Sequence, residues 1–222
     1  MEPQSVRPSI QWHKVLDSTN NEAKRKLSSL DNLSVIAALT QTAGRGRGTH
    51  SWVSAPGENL TFSLVLKFPE GRLPSCEAVR ITHFATVSVC EFLVGEGVEP
   101  RIKWPNDIWV DDRKICGLLI ENTFAGASVT GSVVGIGLNL NQKDFDPLLP
   151  NPTSLSLLNG RSYSPVAALD TLHEIFCRRA SMLESDGGRA RLELEFSKRM
   201  FVLEKAGEDR IREAIGSFEA QK

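Results

Sequence analysis

The sequence predicts an α+β fold: a mixed, largely antiparallel β-sheet with helices packed on one side. Three observations support this class. The 222 residues, 41% hydrophobic and 24% charged, suit a single soluble domain with a sizeable core. Several short segments alternate apolar and polar residues, as strands do. Two long segments have helical patterning, and the order of the elements mixes hairpins with helices.

Strands and one helix are predicted in the first part of the chain. Three apolar, alternating segments are predicted strands: 10–15, 33–39 and 60–68. Between the first two, Thr19 and Glu22 have the spacing of a capping box at a helix start. Asp17 and Ser18 are alternative caps for the same helix.

The second part predicts a hairpin-rich sheet followed by helices. A long helix covers 75–94 and ends at Gly95. Four further strands are predicted, at 101–103, 108–110, 114–121 and 129–140. The strands end near Gln142. Ser164 and Pro165 then begin a helix with an apolar stripe, and another helix covers 189–199.

Composition excludes several classes of protein. Lys and Arg total 26 and Asp and Glu total 27, so the net charge of −1 gives no global basic field for nucleic acid. The four cysteines form no C-x-x-C pair, which predicts core thiols in a reducing cytoplasm. The N-terminus has no apolar signal segment, and no apolar run approaches the ~18 residues of a membrane span. We therefore expect a cytoplasmic protein without DNA or membrane partners.

A glycine-rich loop at 42–56 contains two arginines and a tryptophan. Its glycines allow a ligand to approach the backbone, and Arg45 and Arg47 supply cationic forks for a carboxylate or phosphate. Trp52 adds an apolar lid or stacking face. The alternatives are a mobile surface loop and a short nucleic-acid-binding RG box.

A second segment joins charged groups to a proline. Lys103 supports phosphate as a point charge, and Asp107 supplies an oxygen ligand for Mg²⁺. Lys114 follows seven residues after Asp107. The alternative interpretation is a strand end with a proline turn and no ligand.

A third segment predicts a flat floor. With a period of two, Ile136 and Leu138 face the core, while Gly135, Gly137 and Asn139 face the other way. Glycine weakens a strand interior, and close approach of a ligand is a usual reason for it.

Together these segments resemble the biotin protein ligases. The resemblance covers about residues 12–200 and rests on motifs in the family's order: DSTN at 17–20, QTAG at 41–44, GRGR at 44–47, KWPND at 103–107, RKICGLL at 113–119 and GIGLNLN at 135–141. It implies a class II synthetase-like catalytic domain over 1–203, of the monofunctional type without an N-terminal DNA-binding domain. The charged tail at 204–222 departs from the family pattern and is expected to be a vestige or truncation of the family's small C-terminal β-barrel.

The resemblance implies a reaction in two steps. The biotin carboxylate attacks the α-phosphorus of Mg-ATP, giving biotinyl-5′-AMP and pyrophosphate, and a lysine of a biotin carboxyl carrier domain then attacks the mixed anhydride. The implied catalytic residues are Lys114, Arg45 and Lys103. The implied biotin-binding residues are Ser18, Thr19, Asn20, Gln41, Gly44, Arg45, Gly46, Arg47, Lys114, Gly117 and Gly137. The implied nucleotide-binding residues are Arg47, Trp52, Lys103, Asn106 and Asn139, with Asp107 as the Mg²⁺ ligand.

Two local expectations and several alternatives accompany this hypothesis. Strict alternation places Lys114 and Gly117 on opposite faces of their strand. The two arginines of the loop are expected to be uncompensated and the loop mobile without ligand. A lipoate or octanoate ligase, and a biotin-binding relic with impaired transfer, remain alternatives. The identity of the carrier, and the choice between monomer and homodimer, stay open.

Overall fold

Eight strands form one sheet in the structure, a computed structural model that describes residues 8–201. The strands are β1 Ile10–Leu16, β2 Val35–Gln41, β3 Leu60–Lys67, β4 Pro100–Lys103, β5 Asp107–Val110, β6 Arg113–Ala125, β7 Ser128–Leu138 and β8 Met200–Phe201. Their order in the sheet is β1-β2-β3-β7-β6-β5-β4-β8. Among these described strands, β1–β2 and β4–β8 pair in parallel, and the other five pairs are antiparallel. The predicted mixed, largely antiparallel sheet is confirmed, while the tail at 204–222 lies outside the described residues.

The described residues contain five α-helices, which cover the two faces of the sheet unequally. They are α1 Thr19–Arg25, α2 Val79–Gly95, α3 Leu155–Asn159, α4 Pro165–Arg179 and α5 Asp186–Arg199. The main core lies between the sheet and the long helices α2, α4 and α5, where Phe84 and Phe176 pack with ring centroids 5.5 Å apart. Helix α1 instead packs on the opposite face, where Ala23 joins a small cluster with Ile36 and Val65. The prediction of helices on one side therefore holds for the long helices, and α1 marks the other face.

Helix α2 is the central helix of the core. The predicted helix at 75–94 begins with a separate 3₁₀ turn, Ser75–Glu77, before α2 itself. The segment Ser75–Gly95 is long and apolar enough to cross a membrane by length and composition, contrary to the expectation that no such run exists. Most of it is buried inside the fold, which is where a soluble protein places its core helix.

Two helix starts and two short elements refine the predicted pattern. Ser164 is the N-cap of α4 and accepts a hydrogen bond from the Ala167 amide, as its position before Pro165 predicts. The capping box of Thr19 and Glu22 is wrong, whereas the alternative cap Ser18 is confirmed as the N-cap residue. Glu22 forms ion pairs further along the chain. Helix α3 and strand β8 were missed. Because β8 joins β4 after all the helices, the sheet does not end near Gln142.

The cysteines divide between core and surface. Cys90 and Cys116 are buried as predicted, but Cys76 is exposed and Cys177 is only half-buried. Burial raises the pKa of the Cys90 thiol to about 12, so this thiol is inert.

Candidate active site

A cavity of about 340 Å³ opens on the face of the sheet that carries α1. It brings together segments that lie far apart in the sequence. Most of the predicted site residues line it: Ser18, Thr19, Asn20, Gln41, Arg45, Gly46, Arg47, Trp52, Asn106, Asp107, Lys114, Gly117 and Gly137. The lining also includes residues absent from the predicted set: His50, Ser51, Leu118, Leu119, Gly135 and Ile136.

Three predicted residues lie outside the lining. Gly44 is beside it, where a Cβ would meet the carbonyl oxygen of Trp52, so this glycine lets the loop close on itself. The ammonium of Lys103 stands 4.8 Å from the centroid of the Trp109 ring. Asn139 is buried and donates to the Thr153 carbonyl oxygen at 2.9 Å. The structure therefore does not bring Gly44, or the side chains of Lys103 and Asn139, into the lining with the others.

The floor of the cavity consists of glycines on the two central strands. Gly137 of β7 lies directly opposite Gly117 of β6. A Cβ on Gly137 would stand 2.5 Å from Cζ2 and Nε1 of the Trp52 indole, and one on Gly117 would stand 3.0 Å from Cζ3 of the same ring. A Cβ on Gly135 would be 2.9 Å from the Cγ of Asn20. Only glycine leaves room for these side chains, as the predicted flat floor requires.

A β-bulge brings Lys114 to the floor. Ile108 pairs with Cys116, but its neighbour Trp109 pairs with Lys114, so Ile115 is an extra residue in β6. The extra residue cancels one step of the alternation. A Cβ on Gly117 would consequently stand 3.3 Å from the Lys114 ammonium. The expectation that Lys114 and Gly117 lie on opposite faces is therefore wrong.

The N-terminus of α1 forms the end wall near Gly135. The Thr19 amide donates to Gln41 Oε1 at 2.8 Å. Behind the wall, the fully buried Ser63 hydroxyl donates to Asn20 Oδ1 at 2.6 Å and lies 2.8 Å from the Thr19 hydroxyl. Hydrogen bonds thus fix the orientation of a polar wall that has free hydrogen-bonding capacity at the start of a helix.

The other end of the floor carries a lysine and a carboxylate. Lys114 Nζ lies 2.8 Å from Asp107 Oδ1, and both side chains are about a quarter to a third exposed. The same ammonium stands 5.8 Å from the centroid of the Trp52 ring. A cation at this point can meet an anionic group that reaches the end of the floor.

The loop at 44–52 folds back over the floor. The Trp52 amide donates to the Gly44 carbonyl at 3.0 Å, and the Gly46 amide donates to the His50 carbonyl at 2.8 Å. These bonds close the loop into a small hairpin that places the indole of Trp52 above the glycines. The indole nitrogen of Trp52 is buried and has no hydrogen-bond partner among residues 8–201.

The two arginines of the loop differ in their surroundings. Arg45 lies 3.1 Å from both carboxylate oxygens of Glu121 and donates to Asn21 Oδ1 at 3.2 Å. The expectation of two uncompensated arginines is therefore wrong for Arg45. Arg47 is exposed on the pocket side, and no acidic group in the described part of the chain forms an ion pair with it.

Glu121 contacts residues of the site, Asn20 and Arg45, and the sequence did not single it out. Burial acts to raise the pKa of its carboxyl, but hydrogen bonds from Lys24 and Asn20 and the charge of Arg45 outweigh burial and hold the pKa below its ordinary value. The only available signal was an acidic residue two positions after Leu119 on the pocket face of β6. That signal is too common to single out one residue.

Comparison with known proteins decides the family. The biotin/lipoate A/B protein ligase family model matches residues 12–139. The chain is 31% identical over 175 residues to a biotin–[acetyl-CoA-carboxylase] ligase of Paracoccus denitrificans, an alignment that covers 77% of this chain and 72% of that protein. The chain belongs to the biotin/lipoate A/B protein ligase family. The resemblance found in the motifs is confirmed, and so is the enzyme class, a ligase.

Other relatives extend the comparison within the biotin/lipoate ligase family. The bifunctional ligase/repressor BirA of Bacillus subtilis is 33% identical over 171 residues, which cover 75% of this chain and 51% of that protein. A structure of the biotin protein ligase from Aquifex aeolicus in complex with biotin and ATP superposes with a TM-score of 0.74 at 24% identity, over 87% of this chain and 78% of that one. The biotin protein ligase from Leishmania major in complex with biotin gives 0.73 at 20% identity, over 91% and 85%. These likenesses confirm the predicted fold.

Proposed function

We propose that this chain is an ATP-dependent biotin protein ligase. It joins biotin to ATP to give biotinyl-5′-AMP and pyrophosphate, and transfers biotin to a lysine of a biotin carboxyl carrier domain. The observation that carries the proposal is the glycine floor, which begins beside Asn20 at Gly135 and ends beside Lys114 at Gly117. A polar wall, a flat apolar channel and a terminal cation match a ligand with a polar ring, an alkyl chain and a carboxylate.

The first step requires two anions to meet. A carboxylate oxygen of biotin forms a bond to the α-phosphorus, and the bond from that phosphorus to pyrophosphate breaks. Lys114 stands at the end of the floor, where its ammonium offsets the repulsion between carboxylate and phosphate. Arg47, without an acidic partner among residues 8–201, is the second cation available to the nucleotide phosphates.

The residues present fit a Mg²⁺ ion delivered with ATP. Residues 8–201 contain no cluster of three or more His, Cys, Asp or Glu side chains that suits a resident metal. Mg²⁺ commonly binds through one or two carboxylates together with substrate phosphates and water. Asp107 would supply the carboxylate and release its contact with Lys114, and the ion would reduce the negative charge of the phosphates.

The second step transfers the biotinyl group. The neutral amine of the carrier lysine attacks the carbonyl carbon of the mixed anhydride, the bond to the phosphate oxygen breaks and AMP leaves. Trp52 and its loop cover the reacting region and keep water from the anhydride until the carrier arrives. We infer a cytoplasmic setting for this chemistry, since its substrates, ATP and biotin carriers, occur there.

The test is ATP–pyrophosphate exchange on the full chain with biotin, lipoate or no acid. We expect exchange with biotin only. Lys114→Met should reduce the rate by about 10²–10³-fold while changing biotin affinity far less, because the charge acts on the transition state. Lys14→Met, at an exposed position of β1, is the matched control and should exchange at the parent rate. Exchange with lipoate alone would favour a lipoate ligase, and an unchanged rate in Lys114→Met would refute the role of Lys114.

A further inference from the structure

Glu121 connects three parts of the site. Its Oε1 lies 2.9 Å from the Lys24 ammonium and its Oε2 lies 2.9 Å from Asn20 Nδ2. The guanidinium of Arg45 stands 3.1 Å from both oxygens. One carboxylate on β6 therefore holds the end wall of the cavity, the body of α1 and the loop above the floor.

The position of this carboxylate needs an explanation. Glu121 lies in the middle of a sheet strand with its side chain 23% exposed, where burial opposes its charge. Its cross-strand partner is the buried, apolar Val133. Sheet stability alone would favour an apolar residue at such a site. The contacts of the Glu121 carboxylate with the cations Lys24 and Arg45 explain why a negative charge is present at this position.

The contacts of the two loop arginines, Arg45 and Arg47, indicate different roles. Nη1 of Arg45 donates to protein acceptors, the two carboxylate oxygens of Glu121 and Oδ1 of Asn21. Arg47 has no such ion pair in the described part of the chain and remains available to an anionic ligand. Arg45 thus has the surroundings of an anchor, and Arg47 those of a ligand-binding group.

We propose that Glu121 is a positioning residue that holds the loop at 44–52 closed over the glycine floor through Arg45; the functional part of this proposal rests on the proposed ligase activity. The loop is hydrogen-bonded internally, so the position of Arg45 also sets the position of Trp52. Without the negative charge, Lys24 and Arg45 would face each other as like charges. The loop would then leave the floor and carry the Trp52 indole with it.

Hydrogen exchange on the ligand-free protein tests the closed loop directly. Glu121→Gln keeps an acceptor for Asn20 but removes the charge, so exchange across 42–53 should become faster by about tenfold or more. Glu22→Gln is the matched control, because Glu22 also pairs with two cations but lies away from the loop. It should leave exchange across 42–53 unchanged. Equal loop protection in Glu121→Gln and the parent would overturn the proposal.

A double-mutant cycle tests whether Arg45 acts through Glu121. Arg45→Met, Glu121→Gln and the double variant are compared by KM and kcat for biotin in pyrophosphate exchange. We expect each single change to raise KM by about tenfold with little change in kcat. The double variant should have the same KM as the single variant with the higher KM, because both changes remove one shared contact. Effects that multiply in the double variant would show that Arg45 contacts the substrate independently, and would overturn the proposal.

The two readouts separate this proposal from the proposed function. Hydrogen exchange across 42–53 is measured without substrate. If the parent chain had no ligase activity, the proposed function would be refuted, but the exchange result would still test the role of Glu121. Arg45→Met changes a 40%-exposed side chain on a loop and is tolerated by the fold even if Glu121→Gln is not. It should by itself accelerate exchange across 42–53, and failure to do so would count against the anchor.

Discussion

Replacing Gly137 by alanine tests the central feature of the site, the contact between the glycine floor and Trp52. A Cβ at this position would stand 2.5 Å from the ring atoms Cζ2 and Nε1 of Trp52. Nonbonded carbon atoms are most stable at about 3.5–4.0 Å, so the indole or the strand has to withdraw by about 1 Å.

The structure indicates which of the two would move. Gly137 is paired on both sides, with Thr61 of β3 and Gly117 of β6, and the helix face of β7 is filled by buried side chains. Trp52 is only half-buried and sits on a loop. We therefore expect the indole to yield. Overpacking costs about 1–3 kcal/mol. If overpacking raises the free energy of the biotin-bound form by this amount and leaves the free form unchanged, biotin affinity falls by about 5- to 150-fold.

The assay is calorimetric titration with biotin, together with thermal unfolding. Gly137→Ala should lose affinity while its Tm changes little, because the loop rather than the sheet absorbs the added methyl group. Gly131→Ala is the matched control on the same strand, where a Cβ would stand at an ordinary 3.4 Å from the Leu66 carbonyl oxygen. It should bind biotin like the parent. Parent-like affinity in Gly137→Ala would refute the contact, and a large loss of Tm would show that β7 moves instead.

Three further predictions follow from other parts of the structure. Ser63→Ala should destabilise the protein by about 1–3 kcal/mol in chemical denaturation and weaken biotin binding, because Asn20 Oδ1 loses its buried donor; equal unfolding midpoints would contradict this. Burial and the nearby Arg80 lower the pKa of His83 to about 4, so the folded protein keeps this ring neutral while the unfolded chain takes up a proton below pH ~6.5. Stability should therefore fall by up to about 3 kcal/mol as the pH drops from 6.5 to 4. His83→Phe retains stacking on Phe196 and cannot take up the proton, so this variant should lose less Tm than the parent over the same pH range. Saturating biotin should slow hydrogen exchange of the Trp52 amide, and an unchanged exchange rate would indicate that the ligand does not contact the loop.

The sheet, the long helices and the set of segments that meet at the site could be predicted from the sequence. Strict alternation in β7 correctly separated the core face of Ile136 and Leu138 from the pocket face of Gly135 and Gly137. This succeeded because a side-chain period of two is a local property of an extended chain. The same rule failed in β6, where the extra residue Ile115 turns Lys114 back toward Gly117. A bulge is set by the pairing with β5, which no local pattern records.

Two of the remaining omissions have the same physical origin. Glu121 gains its role from Lys24 and Arg45, which are brought to it only by tertiary packing. The two-residue strand β8 is too short to carry an alternating pattern, and it exists because α5 ends beside β4. The expected capping box failed for a local reason: Ser18 is the N-cap, so Glu22 is the fourth helical residue instead of the third, and it pairs with Arg25 and Lys26. Interactions between distant segments thus decided the cases of Glu121 and β8.

The geometry of the pocket depends on β1, which lies at the edge of the sheet formed by the described residues. Within residues 8–201, strand β1 pairs only with β2, and its end leads directly into Ser18 and the end wall. The carbonyl groups of Leu16 and Asp17 accept hydrogen bonds from the amides of Thr42 and Ala43, each at 2.9 Å, so the same strand end also secures the start of the arginine loop. Edge strands open at a lower free energy than central ones. Fraying of β1 would therefore release the wall and the loop in a single event, and the lifetime of a well-formed pocket is limited by the lifetime of this one strand pair.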